Sequence, residues 1–133
     1  GRRANLFTDF SFGVWSAVRY DLVPVALAYS GLSDQELIHL DRWIRQNTRE
    51  SFGPVRAVEP IHVFEIGFEG IHESPRHRSG LAVRFPRILR WRTDKAAAEA
   101  DDMATATQLA QAAERETPAR SRSRERPGLF DGL

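Results

Sequence analysis

Residues 84–95, RFPRILRWRTDK, constrain this chain more than any other stretch. Five cations (Arg84, Arg87, Arg90, Arg92, Lys95) are interleaved with Phe85, Ile88, Leu89 and Trp91, and Asp94 is the only acid among them. Such interleaving suits an extended strand. Successive side chains leave opposite faces, so apolar residues can anchor one face while arginines emerge on the other. Pro86 costs no central ladder hydrogen bond at a strand's start or on an edge. A guanidinium fork matches phosphate oxygens two at a time and cannot be neutralised. The stretch reads either as a binder of polyanions, such as nucleotide polyphosphates or a nucleic-acid backbone, or as a solvated basic strand.

The net charge of +1 conceals blocks of opposite sign. Residues 76–95 carry seven Lys or Arg against Asp94, whereas residues 96–116 carry five acids against Arg115. A near-neutral protein can thus present a phosphate-binding stripe. Lys95 is the only lysine among nineteen cations. The length, 133 residues, suits one domain. The absence of cysteine rules out a disulfide framework and a thiolate zinc site. No apolar run approaches the roughly 18 residues that span a membrane, and no secretory signal pattern stands at the start. His39, His62, His72 and His77 lack metal-ligand spacing, so no metal is assigned.

Residues 7–15 alternate, with Phe10, Phe12 and Val14 on one face, as a half-buried strand does. A second strand is expected over 22–29, with Val23, Val25, Leu27 and Tyr29 sharing a face and Pro24 marking an edge or a bulge. Ser33 opens a helix expected over 33–51. Ser33 and Glu36 form a capping-box pattern, Leu32 can staple onto Leu37, and Asp34 favours the N-terminal dipole. Leu37, Leu40 and Ile44 follow at helical spacing beside Trp43, and Gly53-Pro54 is expected to end the helix. Trp43 suits core packing better than base stacking. Residues 61–70 alternate again, with Phe64, Ile66 and Phe68 inward. Glu65 and Glu69 read as a solvated face, because no third ligand accompanies them. Residues 74–80 form a basic loop with Arg76, His77 and Arg78. A helix with a thin apolar face is expected over about 98–113, and the Arg/Ser-rich run from 117 to 126 is expected to be disordered. Periodicity alone gives a small β-rich domain.

The order of residues says more. Arg84-Phe-Pro-Arg followed by Arg90-x-Arg92-x-Asp94-Lys95 closely resembles the C-terminal nucleotidyltransferase motif of ATP-dependent DNA ligases, shared more loosely with mRNA capping enzymes. FTDFSFGVW at 7–15, LVPVALAYSGLS at 22–33, FEIGFEG at 64–70 and SPRHRSG at 74–80 are similar to what precedes that motif in the same domain. The resemblance covers residues 5 to about 109. It implies an OB-fold, a five-stranded partly open Greek-key barrel, over 1–96. A C-terminal helix over 97–116 and a disordered tail over 117–133 complete the expected layout.

In that family ATP adenylates the lysine of a Lys-x-Asp-Gly motif, AMP passes to a 5′-phosphate, and the 3′-hydroxyl seals the nick. Here Lys95 is followed by Ala-Ala-Ala, so the nucleophile is absent and this piece alone is expected to be inactive. ATP and Mg²⁺ would belong to the full-length enzyme, with neither bound by this piece alone. The resemblance implies that Arg84, Arg92, Asp94 and Lys95 orient the pyrophosphate. Arg76, Arg78, Arg87 and Arg90 are candidates for contact with nicked duplex DNA. Phe85, Pro86, Ile88 and Leu89 are expected to hold the strand in place. The implied partners are nicked DNA and an upstream adenylation domain, and the implied setting is the cytoplasm, associated with the nucleoid, in repair, replication and recombination. Two other readings stand beside this one. One is a stand-alone single-strand-binding OB module using Trp15, Tyr29 and Trp91. The other is a capping-enzyme or RNA-ligase OB domain. Leu129 and Phe130, behind the Arg/Ser run, resemble a short sliding-clamp-docking peptide, although Glu125, Arg126 and Pro127 stand where a glutamine is expected.

Overall fold

A computed structural model describes residues 6–18, 21–29, 31–115 and, for the backbone, 128–132. The elements run β1 (Phe10–Trp15), β2 (Leu22–Ala28), α1 (Asp34–Gln46), β3 (Thr48–Phe52), β4 (Val55–Val58), β5 (His62–Gly67), β6 (Gly70–Glu73), β7 (Leu81–Arg84), β8 (Arg87–Trp91), α2 (Met103–Arg115) and β9 (Gly128–Gly132). One sheet has the order β2-β1-β9-β5-β8, and β3-β4 and β6-β7 form two ribbons. The molecule is mainly strand with two helices, the OB-like class expected. β7 lies beside β2, but no ladder joins them among the described residues. Among the described residues the pairing forms no closed ring.

β1 buries Phe10, Phe12 and Val14 as its alternation requires. β2 departs from expectation. Phe12 pairs with Ala26 and Gly13 with Pro24, leaving Val25 as an extra residue in an edge strand. One extra residue reverses the inward set. Val25 and Ala28 are buried, while Leu27 is 62% and Tyr29 71% exposed. The bulge beside Pro24 is the one its ring suggested.

α1 starts where the capping box places it. Ser33 Oγ accepts from the Glu36 N–H at 3.1 Å, and Glu36 Oε1 accepts from the Ser33 N–H at 2.9 Å. Leu37, Leu40 and Ile44 enter the core. Buried Asp41 is satisfied by the Phe7 N–H at 3.0 Å and Arg45 Nε at 2.9 Å. The helix ends at Gln46, five residues before its expected end. Asn47 Nδ2 donates to the Trp43 carbonyl and Thr48 Oγ1 to that of Ile44, capping the last turn with side chains. Gly53 and Pro54 instead turn the β3–β4 hairpin, with Gly53 at φ 61°.

The expected long strands are each broken in two at one level. β5 pairs with β8 and β6 with β7, and between them the Glu69 N–H donates to the Arg84 carbonyl at 2.9 Å. The core gathers Phe10, Phe12, Phe64, Ile66 and Ile88 with the α1 leucines. A second cluster joins Phe68, Ile71 and Leu81 to Ala106 and Ala110 of α2. Small residues at i and i+4 let α2 lie close on the ribbon, which is how a helix with so thin an apolar face packs. α2 begins at Met103, later than expected, behind Asp102, whose carboxylate accepts from the Thr105 N–H. Trp15 fixes the approach to it: its indole donates to the Ala97 carbonyl at 2.8 Å and its amide to that of Asp101 at 3.0 Å.

Residues 128–132, expected to be part of a disordered tail, run instead as β9, antiparallel to both β1 and β5. Main-chain ladder groups on both neighbours explain this, since they pair with any extended segment in register. The rest of that expectation, residues 117–127 and 133, lies outside the described residues.

Gly31, at φ 116°, lies against β8, where an added Cβ would fall 1.6 Å from the Ile88 carbonyl oxygen. Gly31→Ala should therefore lower stability by about 2 kcal/mol or more. Gly53→Ala, with nothing within 4 Å of its Cβ, should lose only about 1 kcal/mol from its positive φ. Urea denaturation of the two variants checks the ordering.

The His62 ring lies between Trp43 and Trp91, at centroid distances of 4.3 and 5.0 Å. Among the described residues its buried Nε2 meets no hydrogen-bond partner. Burial, then the nearby His39, lower its pKa. The unfolded imidazole titrates near 6.5, so on acidification the unfolded chain takes up this proton first. The His62 contribution is complete above about pH 6.5 and falls away below it. The urea midpoint should drop between pH 7.5 and 5.5, and His62→Phe should reduce that drop.

Candidate nucleotide and nucleic-acid interface

The direction of each side chain on β8 follows from one irregularity. Trp91 pairs with Phe64, Arg90 with Glu65, then Ile88 with Ile66 and Arg87 with Gly67, so Leu89 is an extra residue. Plain alternation would place Ile88 on the same face as Arg90. The bulge turns both Ile88 and Trp91 inward and leaves Arg87 and Arg90 on the outer side. Leu89 lies over Gly67, where an added Cβ would sit 2.9 Å from its Cδ1. Of the four apolar residues expected to hold the strand, Ile88 is buried and Pro86 half-buried. Leu89 is partly exposed, and Phe85 is 65% exposed.

Phe85 marks the break between β7 and β8, with φ at 52°. Both its own Cβ and the following proline disfavour that conformation. The Arg84 guanidinium carbon stands 5.8 Å from the centre of its ring. Arg87 Nη1 donates to its carbonyl at 3.4 Å. An exposed aromatic residue thus has one arginine beside its ring and another on its carbonyl. Nothing in the sequence except the Phe-Pro step hints at this.

Beyond β8 the chain makes a tight turn, with the Lys95 N–H donating to the Arg92 carbonyl at 3.3 Å and the Arg92 N–H to that of Val63 at 2.8 Å. Arg92 Nε and Nη2 donate to the two Asp94 oxygens at 2.9 and 2.8 Å. That hydrogen bonding holds the Asp94 carboxyl well below the usual carboxylate range and raises the Arg92 pKa further. The Arg92 side chain is only 17% exposed, so its plane and position are fixed before any ligand arrives. Lys95 is half-buried in the same turn.

The structure brings Arg92, Asp94 and Lys95 together and leaves Arg84 apart, at the end of β7 before the Phe85-Pro86 step. β8 itself, five residues at about 3.4 Å each, is roughly 17 Å long and stands between them. Arg90 stands between, 3.6 Å from Glu65. The 74–80 loop closes on itself through the Ser74 N–H to the Gly80 carbonyl at 2.8 Å and Ser74 Oγ to His77 Nδ1 at 2.9 Å. Arg76, His77 and Arg78 are left exposed. Arg78 and Pro86 line one shallow depression of 370 Å³ with residues 24–27, so the basic loop adjoins the Phe85 kink. The strand thus has two cationic stations: a preset fork at its end, and at its start an exposed ring with Arg84 beside it and Arg87 on its carbonyl.

The aromatic residues are otherwise engaged. Trp91 packs on Phe64 and His62 at 5.2 and 5.0 Å, and the Trp15 indole is hydrogen-bonded to Ala97. Of the three proposed stacking platforms, Tyr29 alone is well exposed. No helix of the described residues is long and apolar enough to cross a membrane.

Comparison with known proteins gives the family of the chain. Residues 3–95 match the family described as the ATP dependent DNA ligase C terminal region. A probable DNA ligase of Koribacter versatilis (strain Ellin345) is 42% identical over 109 residues, 82% of this chain and 19% of that protein. A probable DNA ligase of Opitutus terrae is 43% identical over 114 residues, 85% of this chain and 11% of that protein. A DNA ligase of Thermococcus onnurineus (strain NA1) is 33% identical over 115 residues, 86% of this chain and 20% of that protein. The chain thus spans a fifth or less of the length of these relatives. With most of its length matched, the chain belongs to the family of C-terminal regions of ATP-dependent DNA ligases.

Proposed function

We propose that this domain serves a nick-sealing enzyme twice, first over the nucleotide and then on the DNA, through the two stations of β8. The observation that carries the reading is the Arg92–Asp94 fork with Lys95 in one turn, apart from the exposed Phe85 and its arginines.

At the first station the relevant chemistry is attack of a lysine amine on the α-phosphate of ATP, with pyrophosphate leaving. ATP and Mg²⁺ supply the activated phosphate and its metal-borne charge in the full-length enzyme. Neither the attacking lysine nor the nucleotide site is assigned to this chain, which lacks Lys-x-Asp-Gly. Its share is cationic: Arg92, aimed by Asp94, and Lys95 meet the charge that develops on the leaving group. Asp94 is a positioning residue. A preset cation costs little reorganisation during reaction, and losing one such donor typically slows the step about 10²–10³-fold. Arg84, which the resemblance groups with these residues, we assign to the second station because of its distance from the fork.

At the second station Arg76, Arg78, Arg84 and Arg87 meet phosphates of nicked duplex, and the Phe85 ring lies against the sugar and base edges between them. Arg90, opposed by Glu65, contributes less. The upstream adenylation domain is the partner this division requires. Sliding-clamp docking through Leu129 and Phe130 would require both to leave β9, since both are paired with β5.

In a full-length enzyme carrying this domain, Arg92→Ala or Lys95→Ala should slow self-adenylation about 10²–10³-fold and affect closure of pre-adenylated nicks far less. Arg76→Ala with Arg78→Ala should show the reverse bias. Single-turnover assays of the two steps decide it, and equal losses in both steps for both variants would remove the division.

The isolated domain should bind duplex weakly and with strong salt dependence. Four arginine–phosphate contacts give a log K against log salt slope near about −3.6. Titrations across a salt series measure it. A slope near zero would mean that the arginines do not meet the backbone.

A further inference from the structure

β9 is held by the main chain of two strands that are far apart in sequence. It pairs with β5 along its whole length, from Gly132 opposite His62 to Gly128 opposite Ile66, and with β1 at Phe12 and Gly13. β1 and β5 each carry a ladder on their other side, to β2 and β8. Without β9, each would present a row of ladder donors and acceptors toward the other, inside one sheet. Across that gap Phe12 and Phe64 already meet edge-on, with ring centroids 5.3 Å apart. The floor of the gap is therefore built by residues other than β9. A preformed floor with two open edges receives an extended segment by its backbone, and side chains add only selectivity.

We propose that the space between β1 and β5 is a strand-acceptor slot, and that Gly128–Gly132 of this chain is its resident, exchangeable occupant. The segment is short and bounded by glycines, so its hold depends on a few main-chain hydrogen bonds. Twelve residues, 116–127, tether it to α2 and can reach at most about 40 Å. A tether of that length keeps the segment at millimolar effective concentration, so the chain's own copy occupies the slot at ordinary protein concentrations. The same segment of a second copy competes only in the millimolar range, giving strand-swapped dimers. Because β5 carries β8 on its other edge, the occupant also braces the strand that bears the arginines. The proposal does not depend on the ligase reading, as it concerns sheet closure alone.

The chain has no cysteine, which allows a clean test on the full chain. Glu65 and Leu129 are directly opposed, and opposed residues have Cα atoms about 4.5–5.5 Å apart, within disulfide range. Glu65→Cys with Leu129→Cys should oxidise to an intramolecular disulfide at micromolar protein and to crosslinked dimers near millimolar. A fluorescent peptide of residues 125–133 should bind the reduced protein at least tenfold more tightly than the oxidised protein, in which the slot is shut. Leu129→Pro with Phe130→Pro puts proline at two successive β5-paired positions and so removes a ladder donor toward β5, and this variant should bind the peptide at least tenfold more tightly than the unaltered chain. It should also show faster amide exchange over β1 and β5, which the peptide reverses. Should the proline variant fail to fold, the oxidised-against-reduced comparison decides alone. Failure of the disulfide to form, or peptide binding that is absent or indifferent to oxidation, overturns the proposal.

Discussion

The pairing of β8 with β5, interrupted by one extra residue at Leu89, is the constraint on which the rest of the domain depends. On the inner side it delivers Ile88 and Trp91 to a core with Phe64 and Ile66, where each buried large apolar side chain contributes about 1.5–3 kcal/mol. On the outer side it leaves Arg87, half-buried, and Arg90, exposed. Gly67 is part of the same arrangement, because a Cβ there would strike the Leu89 side chain. A strand pressed from both sides cannot shift register without exchanging apolar and charged faces.

A fixed strand also fixes the turn beyond its end. The Arg92 amide is tied to Val63, the first fully buried residue of β5, so the turn holding Arg92, Asp94 and Lys95 inherits the position of the core. The Arg92–Asp94 fork adds little to stability, since Asp94 is largely exposed and exposed ion pairs are weak. Its effect is geometric. A bidentate carboxylate sets the guanidinium plane, which a lysine in place of Arg92 could not provide. At the other end of β8, Phe85 holds a disfavoured backbone conformation with its ring in solvent. Nothing in the core is improved by that ring, which directs attention to what it meets outside.

The edge of β8 is covered by the loop at Gly31, whose backbone comes so close to the Ile88 carbonyl that only a hydrogen fits. β5, by contrast, relies on β9 for its other edge. One motif strand is thus supported by a glycine contact from the β2–α1 connection on one side and, through β5, by the last strand of the chain on the other. Both supports are made by backbone, so neither leaves a pattern of side-chain types.

That difference separates what was legible in the sequence from what was not. Ser33 and Glu36 determined the start of α1, because a capping box is satisfied within four residues. The alternation of Phe10, Phe12 and Val14 determined which side of β1 is buried, and Phe64, Ile66 and Phe68 are inward as their spacing indicated, although Val63 and Gly67 on the other face of β5 are buried as well. The order of arginines, aspartate and lysine in 84–95 was enough to identify the family resemblance. The end of α1 was not legible, since Asn47, Thr48 and a hairpin pairing of β3 with β4 competed with continued helix. Nor were the bulges at Val25 and Leu89, because an extra residue is defined only against a partner strand. Gly31 is one glycine among nine until Ile88 is placed beside it, and β9 is a polar-flanked tail until β1 and β5 offer it two edges. Local chemistry was decided by the sequence, and register and backbone contact between distant segments only by the tertiary structure, because hydrogen-bond geometry across strands is a property of pairs.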